Sequence, residues 1–91
     1  MFTKSHFKKY KCPCCGSYTF EEQPNGNYDI CPVCYWEDDP IQLKNPSRAG
    51  GANKVSLNQG RENYIAFGAC EKEMIPHVRP AKEEEKTGID W

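Results

Sequence analysis

The 91-residue chain has little that would suit it to a membrane, to export or to binding a polyanion. Charged residues, prolines and glycines interrupt every stretch well before the roughly 18 apolar residues that a membrane-spanning helix needs. No apolar segment follows the opening Met1-Phe2-Thr3-Lys4, so we expect no secretory leader and a cytoplasmic location. The formal net charge of −1 argues against a broad nucleic-acid-binding surface.

Catalytic motifs are equally scarce. The chain has no Ser/His/Asp set, no glycine-rich phosphate loop and no His-x-x-Glu motif. His77, near two prolines, is typical of a surface or packing residue, although it could serve as a base or a further metal ligand. Cys14 would form a nucleophile–base pair with His6 or His77 only if the fold brought them together. We therefore expect that the protein is not an enzyme.

Six cysteines are unusual in so short a chain. Small domains often need a disulfide or a metal to supplement a small core, and the lack of an export signal favours reduced thiols. The cysteines form two Cys-Pro-x-Cys motifs, Cys12-Pro13-Cys14-Cys15 and Cys31-Pro32-Val33-Cys34. Their separation is typical of a structural zinc site in which two tight turns, or knuckles, each supply two thiolates.

The predicted metal ligands are Cys12, Cys15, Cys31 and Cys34, arranged as a tetrahedron around Zn²⁺ with Zn–S distances near ~2.3 Å. Iron in a rubredoxin-like site is an alternative, because four thiolates bind either metal. A second alternative is a redox dithiol within the group Cys12, Cys14 and Cys15. Four cysteines close the coordination sphere and leave no open position for catalysis.

The remaining cysteines are Cys14 and Cys70. Cys14 lies between two predicted ligands, and we expect it to point away from the ion or to lie near it as an oxidation-prone or alternate ligand. We interpret Cys70 as a small buried apolar residue, the usual environment of a free cysteine.

The fold class indicated is a small α+β domain with a zinc-ribbon or rubredoxin-like β-hairpin followed by one or two C-terminal helices. Residues 18–21 and 27–30 alternate apolar with polar side chains, and Asn25-Gly26 between them is a strong hairpin signal. The hairpin would place Tyr18, Phe20, Tyr28 and Ile30 on one face near the metal.

The second half of the chain predicts loops and a helix. Trp36 should belong to the core, whereas the acidic triplet 37–39 should form a solvated loop and residues 40–53 an irregular connection. Ser56 with Gln59 predicts the start of a helix, and Gly68 predicts its end. Another turn or two of helix is expected within residues 69–75.

We divide the chain into a basic extension (1–10), a single zinc-binding domain (11–80) and an acidic, partly disordered tail (81–91). The extension and the start of the domain contain four lysines, Lys4, Lys8, Lys9 and Lys11. Lys8, Lys9 and Lys11 could balance the negative charge of a Zn(Cys)₄ centre, and all four lysines could instead form a weak nucleic-acid-binding patch.

Several motifs in order resemble one family. These are Cys12-Pro13-Cys14-Cys15-Gly16, the segments 30–39, 49–53, 55–58 and 61–64, Phe67-Gly68-Ala69-Cys70 and Val78-Arg79-Pro80. Together they resemble the bacterial cysteine-rich CPCC family, over about residues 11 to 80. That family consists of small, mainly bacterial proteins without an established activity, so the resemblance implies a bacterial cytoplasmic setting rather than a reaction. It also implies that Cys14 and Cys70 belong to the family pattern.

The function predicted from the sequence is that of a structural zinc module that binds another macromolecule, in the first place a protein, in an immunity- or antitoxin-like role. The helix and the loop within residues 40–58 would form the contact surface. One alternative is a thiol-redox or electron-transfer protein that uses iron or the Cys12/Cys14/Cys15 group. The other is a nucleic-acid-binding zinc ribbon.

Overall fold

The computed structural model describes residues 9–87. Its elements are, in order, β1 (Tyr10–Lys11), β2 (Tyr18–Phe20), α1 (Pro40–Lys44), α2 (Leu57–Phe67), a 3₁₀ helix (Lys72–His77) and α3 (Glu83–Thr87). None of the helices in this range has the length and apolar character needed to cross a bilayer.

A two-stranded antiparallel hairpin is present, but the predicted pairing of residues 18–21 with residues 27–30 is wrong, because residues 18–20 pair with Tyr10–Lys11 instead. β1 pairs with β2, so that Tyr10 lies opposite Phe20 and Lys11 opposite Tyr18, with an irregularity between Tyr10 and Lys11. The hairpin therefore closes around the first cysteine motif. Residues 27–30, predicted to be the second strand, contribute only an isolated bridge between Ile30 and Glu37.

The side chain of Asp38 explains why residues 25–28 do not form the predicted hairpin turn. Its Oδ2 atom accepts hydrogen bonds from the backbone N–H groups of Asn25, Gly26 and Asn27 at 3.0, 2.9 and 3.3 Å. Tyr28 follows with a φ of 64°, which ends any extended run. The Asn-Gly turn thus wraps around a carboxylate.

The acidic triplet is not the solvated loop that the sequence predicted, because Asp38 and Asp39 are buried. Asp39 caps α1, its Oδ1 accepting from the N–H groups of Ile41 and Gln42 at 2.7 and 3.1 Å. Its Oδ2 accepts from the N–H of Ala52 at 2.9 Å. These backbone donors, that of Ala52 above all, lower the pKa of Asp39.

The side-chain amides of Gln42 and Asn53 are buried and bonded to each other, and they anchor the connection 40–53 that was predicted to be irregular. This connection also contains α1. The Nε2 atom of Gln42 lies 3.1, 3.1 and 3.0 Å from the carbonyl oxygens of Arg48, Asn53 and Val55. Its Oε1 accepts from the side-chain amide of Asn53 at 2.9 Å, and that amide also donates to the carbonyl of Glu37 at 2.8 Å. Residues 45–55 are therefore anchored through side chains although they contain no regular element.

The predicted helix is confirmed at both ends. α2 begins at Leu57, where the hydroxyl of Ser56 accepts from the N–H of Gln59 at 3.1 Å. It ends at Phe67, followed by Gly68 with a φ of 82°. The helical turns expected within residues 69–75 occur as the 3₁₀ helix Lys72–His77, which continues through Pro76.

The part of the predicted disordered tail that the structure describes contains α3, which packs against β2. Arg79 forms a two-point ion pair with Glu85 through Nη1 and Nη2, each 2.8 Å from a carboxylate oxygen. Glu85 also accepts from the N–H of Lys82 at 2.8 Å. Of the four N-terminal lysines considered above, Lys9 pairs with Glu21 and Lys11 lies over the ring of Tyr18, whereas Lys4 and Lys8 lie outside the described residues.

The core of the domain is small and rich in sulfur. Its buried members are Cys12, Cys14, Phe20, Cys31, Val33, Cys34, Trp36, Leu57 and Cys70. The prediction that Trp36 belongs to the core is confirmed, since its side chain is fully buried. The apolar face predicted for the hairpin is only partly correct, because Phe20 is buried but Tyr28 and Ile30 are about half exposed, at 51% and 46%.

Candidate metal centre

The first cysteine turn, residues 12–17, closes through two backbone hydrogen bonds. Cys12 N–H donates to the carbonyl of Ser17 at 2.8 Å, and Gly16 N–H donates back to the carbonyl of Cys12 at 2.9 Å. Gly16 has a φ of 82°, a conformation that costs glycine little. The turn brings Cys12 and Cys15 together between β1 and β2.

The second cysteine turn, residues 31–36, has the same hydrogen-bonding pattern. Cys31 N–H donates to the carbonyl of Trp36 at 3.0 Å, and Tyr35 N–H donates to the carbonyl of Cys31 at 2.8 Å. Tyr35 occupies the place of Gly16 and has a φ of 70°, which is unusual for a bulky side chain. The bridge between Ile30 and Glu37 flanks this turn as the hairpin flanks the first.

The two turns place four thiols in one cluster, here called the thiol cluster. Its members are the four predicted ligands, Cys12, Cys15, Cys31 and Cys34, whose sulfur atoms all lie within 4.8 Å of one another. The Sγ atoms are 3.7 Å apart in the pair Cys12–Cys34 and 3.7 Å apart in the pair Cys15–Cys31. A disulfide would require about 2.05 Å, so these thiols are free and could hold a metal ion.

Three sulfur atoms of the thiol cluster have a polar neighbour outside the cluster. The pairs are Cys14 N with Cys12 Sγ at 3.4 Å, Ser17 N with Cys15 Sγ at 3.5 Å, and Thr19 Oγ1 with Cys31 Sγ at 3.1 Å. Each of these donors would stabilise a thiolate, the form of cysteine that binds metals. The environment of the sulfurs therefore suits a metal-bound state.

Burial and hydrogen bonding among the thiols shift the pKa values of the cluster in opposite directions. Hydrogen bonding with the Cys15 thiol, together with burial, raises the pKa of Cys12. Hydrogen bonds from neighbouring thiols, that of Cys12 first, hold the pKa of Cys31 far below its usual value. Four thiolates so close together repel one another, and a dication that replaces their protons removes this repulsion.

The other two cysteines are not members of the thiol cluster, but the Cys14 thiol lies close enough to Cys34 that hydrogen bonding with Cys12 first, and then with Cys14, raises the pKa of Cys34. Cys70 is fully buried, as the sequence predicted, and desolvation raises its pKa to about 12. Cys14 is also buried, and its sulfur would lie 3.1 Å from a Cβ atom at Gly60. Gly60 thus provides the space on α2 that Cys14 occupies.

His77 does not join the thiol cluster. Its side chain is exposed and stacks on the ring of Tyr35, with centroids 5.2 Å apart. His6 lies outside the described residues, so a pairing of Cys14 with that histidine stays a prediction.

Sequence reasoning missed Thr19 as a neighbour of the thiol cluster. The alternation of residues 18–21 assigned Thr19 to the polar face of a strand, where a side chain would normally be solvated. In the structure its side chain is buried and reaches Cys31 on the other turn. No local pattern signals this contact, because the two residues meet only after both turns have formed.

The chain was compared with models of known protein families. The family model described as cysteine-rich CPCC matches residues 10–85. The match includes both cysteine turns, α2 and the Arg79–Glu85 pair, and so extends beyond the range of about 11 to 80 that the sequence motifs indicated. A search of curated proteins found no match.

Proposed function

The chain belongs to the cysteine-rich CPCC family, and from this premise we propose that the protein is a structural zinc module held together by Cys12, Cys15, Cys31 and Cys34. The supporting observation is a distance. A tetrahedral zinc site with Zn–S bonds of ~2.3 Å has sulfur atoms about 3.8 Å apart. The Cys12–Cys34 and Cys15–Cys31 sulfur pairs, each 3.7 Å apart, already have this spacing.

The ion would join the two cysteine turns. Both close sulfur pairs combine one cysteine of the first turn with one of the second, so one ion would link the turns twice. Zinc bound by thiolates contributes apparent folding free energy of ~10–16 kcal/mol in small zinc-finger peptides. With four thiolates the coordination sphere is closed, and the proposed role is therefore structural rather than catalytic.

The proposed activity is binding of another protein, in the cytoplasm. The side of α2 that faces solvent supports this proposal, because it carries Ile65, whose side chain is 86% exposed. Burial of this side chain against a partner would be favourable, because it would remove apolar surface from water. The lysines proposed for nucleic-acid binding give less support, since Lys9 is paired with Glu21 and Lys11 lies over Tyr18.

Metal analysis of protein purified from cells without added metal tests the structural role. We expect about one zinc ion per chain, and loss of folded structure when a strong chelator removes it. A red protein with one iron ion per chain would instead support the electron-transfer alternative. Metal-free protein that remains folded would overturn the proposal.

Serine substitutions test the choice of ligands. Cys31→Ser should abolish stoichiometric metal binding and cooperative unfolding, because a three-thiolate site binds zinc far more weakly. Cys14→Ser is the matched control, since Cys14 precedes a proposed ligand but its sulfur is outside the thiol cluster. Equal metal loss in both variants would show that the ligand set is wrong.

The binding role has its own test. Wild-type protein and an Ile65→Asp variant, both loaded with zinc, are used to capture partners from the native organism. A protein retained by the wild type and lost with Ile65→Asp supports binding through α2. Retention of nucleic acid alone, with a strong dependence on salt, would support the nucleic-acid alternative instead.

A further inference from the structure

We infer that Thr19 is a positioning residue of the metal centre, whose hydroxyl donates a hydrogen bond to Cys31 and slows the release of the ion. The inference rests on the proposed metal-binding function, because it concerns a residue outside the four proposed ligands. It adds a fifth side chain to the site and assigns it a measurable effect.

The contact itself is the first observation. Thr19 Oγ1 lies 3.1 Å from Cys31 Sγ. This distance is shorter than the 3.4 Å from Cys14 N to Cys12 Sγ and the 3.5 Å from Ser17 N to Cys15 Sγ. Thr19 is 9% exposed, so little water competes for its hydroxyl. A hydroxyl beside a thiolate is a charge-assisted donor, which is stronger than a neutral one.

The origin of the donor is the second observation. The two N–H donors come from the same turn as the sulfur they contact, whereas Thr19 lies on β2 and Cys31 belongs to the second turn. The hydroxyl is thus a contact between the two halves of the site besides the contacts among the cluster thiols. The backbone N–H of Thr19 donates to the carbonyl of Ser17 at 3.0 Å, and this bond helps to fix the position of the Thr19 side chain.

The physical role follows from these contacts. A metal-bound thiolate that receives a hydrogen bond is less basic and better oriented, so protons and competing ligands displace it less readily. Removal of outer hydrogen-bond partners from metal ligands commonly weakens metal binding 10- to 100-fold. Loss of the Thr19 hydroxyl should therefore accelerate metal release, although every proposed ligand remains in place.

The test uses full-length protein and three variants. Thr19→Val keeps the shape of the side chain without its hydroxyl, Thr19→Ala removes the hydroxyl together with the methyl group, and Thr19→Ser keeps the hydroxyl. Zinc release to a chromophoric chelator is timed at pH 7. In parallel, Co²⁺ is bound in place of zinc, and its thiolate charge-transfer band reports the electronic state of the sulfurs.

We expect Thr19→Val to release zinc about tenfold faster than the wild type and to shift the Co²⁺ band, and Thr19→Ser to stay within about twofold. If Thr19→Val does not fold, the comparison of Thr19→Ala with Thr19→Ser decides, and Thr19→Ala should release zinc faster than Thr19→Ser. Equal release rates and bands in the variants with and without a hydroxyl overturn the inference. Failure of the wild type to bind zinc or Co²⁺ would instead overturn the proposed function, so the two failures are distinguishable.

Discussion

Gly16 and Tyr35 occupy the same position in the two cysteine turns, and both have a left-handed backbone, with φ values of 82° and 70°. Glycine adopts this conformation freely, whereas a residue with a Cβ atom loses about 1–2 kcal/mol. Tyr35 stacks its ring on His77, with an angle of 26° between the ring planes. The stack offsets part of the strain and joins the second turn to the 3₁₀ helix.

Two substitutions at Tyr35 separate strain from stacking. Tyr35→Ala removes the stack and keeps the strain, whereas Tyr35→Gly removes both. We therefore expect Tyr35→Gly to be more stable than Tyr35→Ala by about 1 kcal/mol, measured by urea unfolding of the zinc-loaded protein. Equal stability of the two variants would mean that the left-handed backbone at this position is not strained.

Gly60 and Cys14 should be coupled in stability. A Cβ atom at Gly60 would lie 3.1 Å from Cys14 Sγ and 3.4 Å from the ring of Trp36. Alanine favours a helix over glycine by about 1 kcal/mol, but overpacking commonly costs 1–3 kcal/mol. We expect Gly60→Ala to destabilise the wild type by about 1 kcal/mol and to stabilise a Cys14→Ala variant. A double-mutant cycle measures the coupling, and additive effects would contradict it.

The buried amide of Gln42 should be essential for the segment 45–55. Gln42→Met preserves the volume of the side chain but leaves the carbonyl groups of Arg48 and Val55 without the Gln42 amide as donor, whereas that of Asn53 still accepts from Gly51 N–H at 3.0 Å. We expect a loss of at least about 2 kcal/mol, because each unpaired buried polar group costs about 1–3 kcal/mol. Gln59→Met is the matched control, since its exposed bond to Asn63 is worth less than about 0.5 kcal/mol. Similar losses of unfolding free energy in Gln42→Met and Gln59→Met would show that the buried hydrogen bonds of Gln42 contribute no more to stability than the exposed bond of Gln59.

The ion pair between Arg79 and Glu85 should make the docking of α3 depend on pH. The hydrogen bonds from Arg79 lower the pKa of Glu85, whose side chain is 10% exposed. The stabilisation is therefore complete above the usual glutamate value of about 4.3 and is lost as the pH falls through the lower folded value.

The measurement compares the unfolding free energy of the wild type with that of Glu85→Gln from pH 7 down to pH 3. Their difference should be constant above about pH 5 and shrink below it. The two proteins are compared only at the pH values in this range at which both retain zinc, because loss of the ion is itself expected to unfold the protein. A difference that grows on acidification would contradict the role assigned to Glu85.

The features predicted correctly from the sequence depend on short-range patterns. The ends of α2 were predictable because Ser56 and Gly68 act on backbone groups within their own helix. The grouping of the four thiols was predictable because Cys-x-x-Cys spacing suits a tight turn, whatever the rest of the fold does.

The features that were not predicted depend on partners distant in sequence. Asp38 can be buried because the backbone N–H groups of residues 25–27 donate to its carboxylate. A run of three consecutive acidic residues does not indicate that one of them is buried. Of residues 27–30, only Asn27 gives its N–H to this carboxylate. Tyr28 N–H donates to the backbone carbonyl of Asp38 at 3.0 Å, so the segment pairs with the chain near Asp38 instead of with residues 18–21. The pairing of Glu85 with Arg79, only six residues away, was missed for another reason, because the composition of the segment indicated disorder.

The closure of each cysteine turn within six residues also determines the order of assembly. Loops of about ten residues close within roughly 10–100 ns, so both sulfurs of a turn can meet before any distant contact forms. A metal ion thus meets two preformed cysteine turns, each with two thiols in place, instead of four independent thiols. Only the chain between the two cysteine turns then has to be ordered when the ion binds, and this keeps the entropic cost of metal binding small.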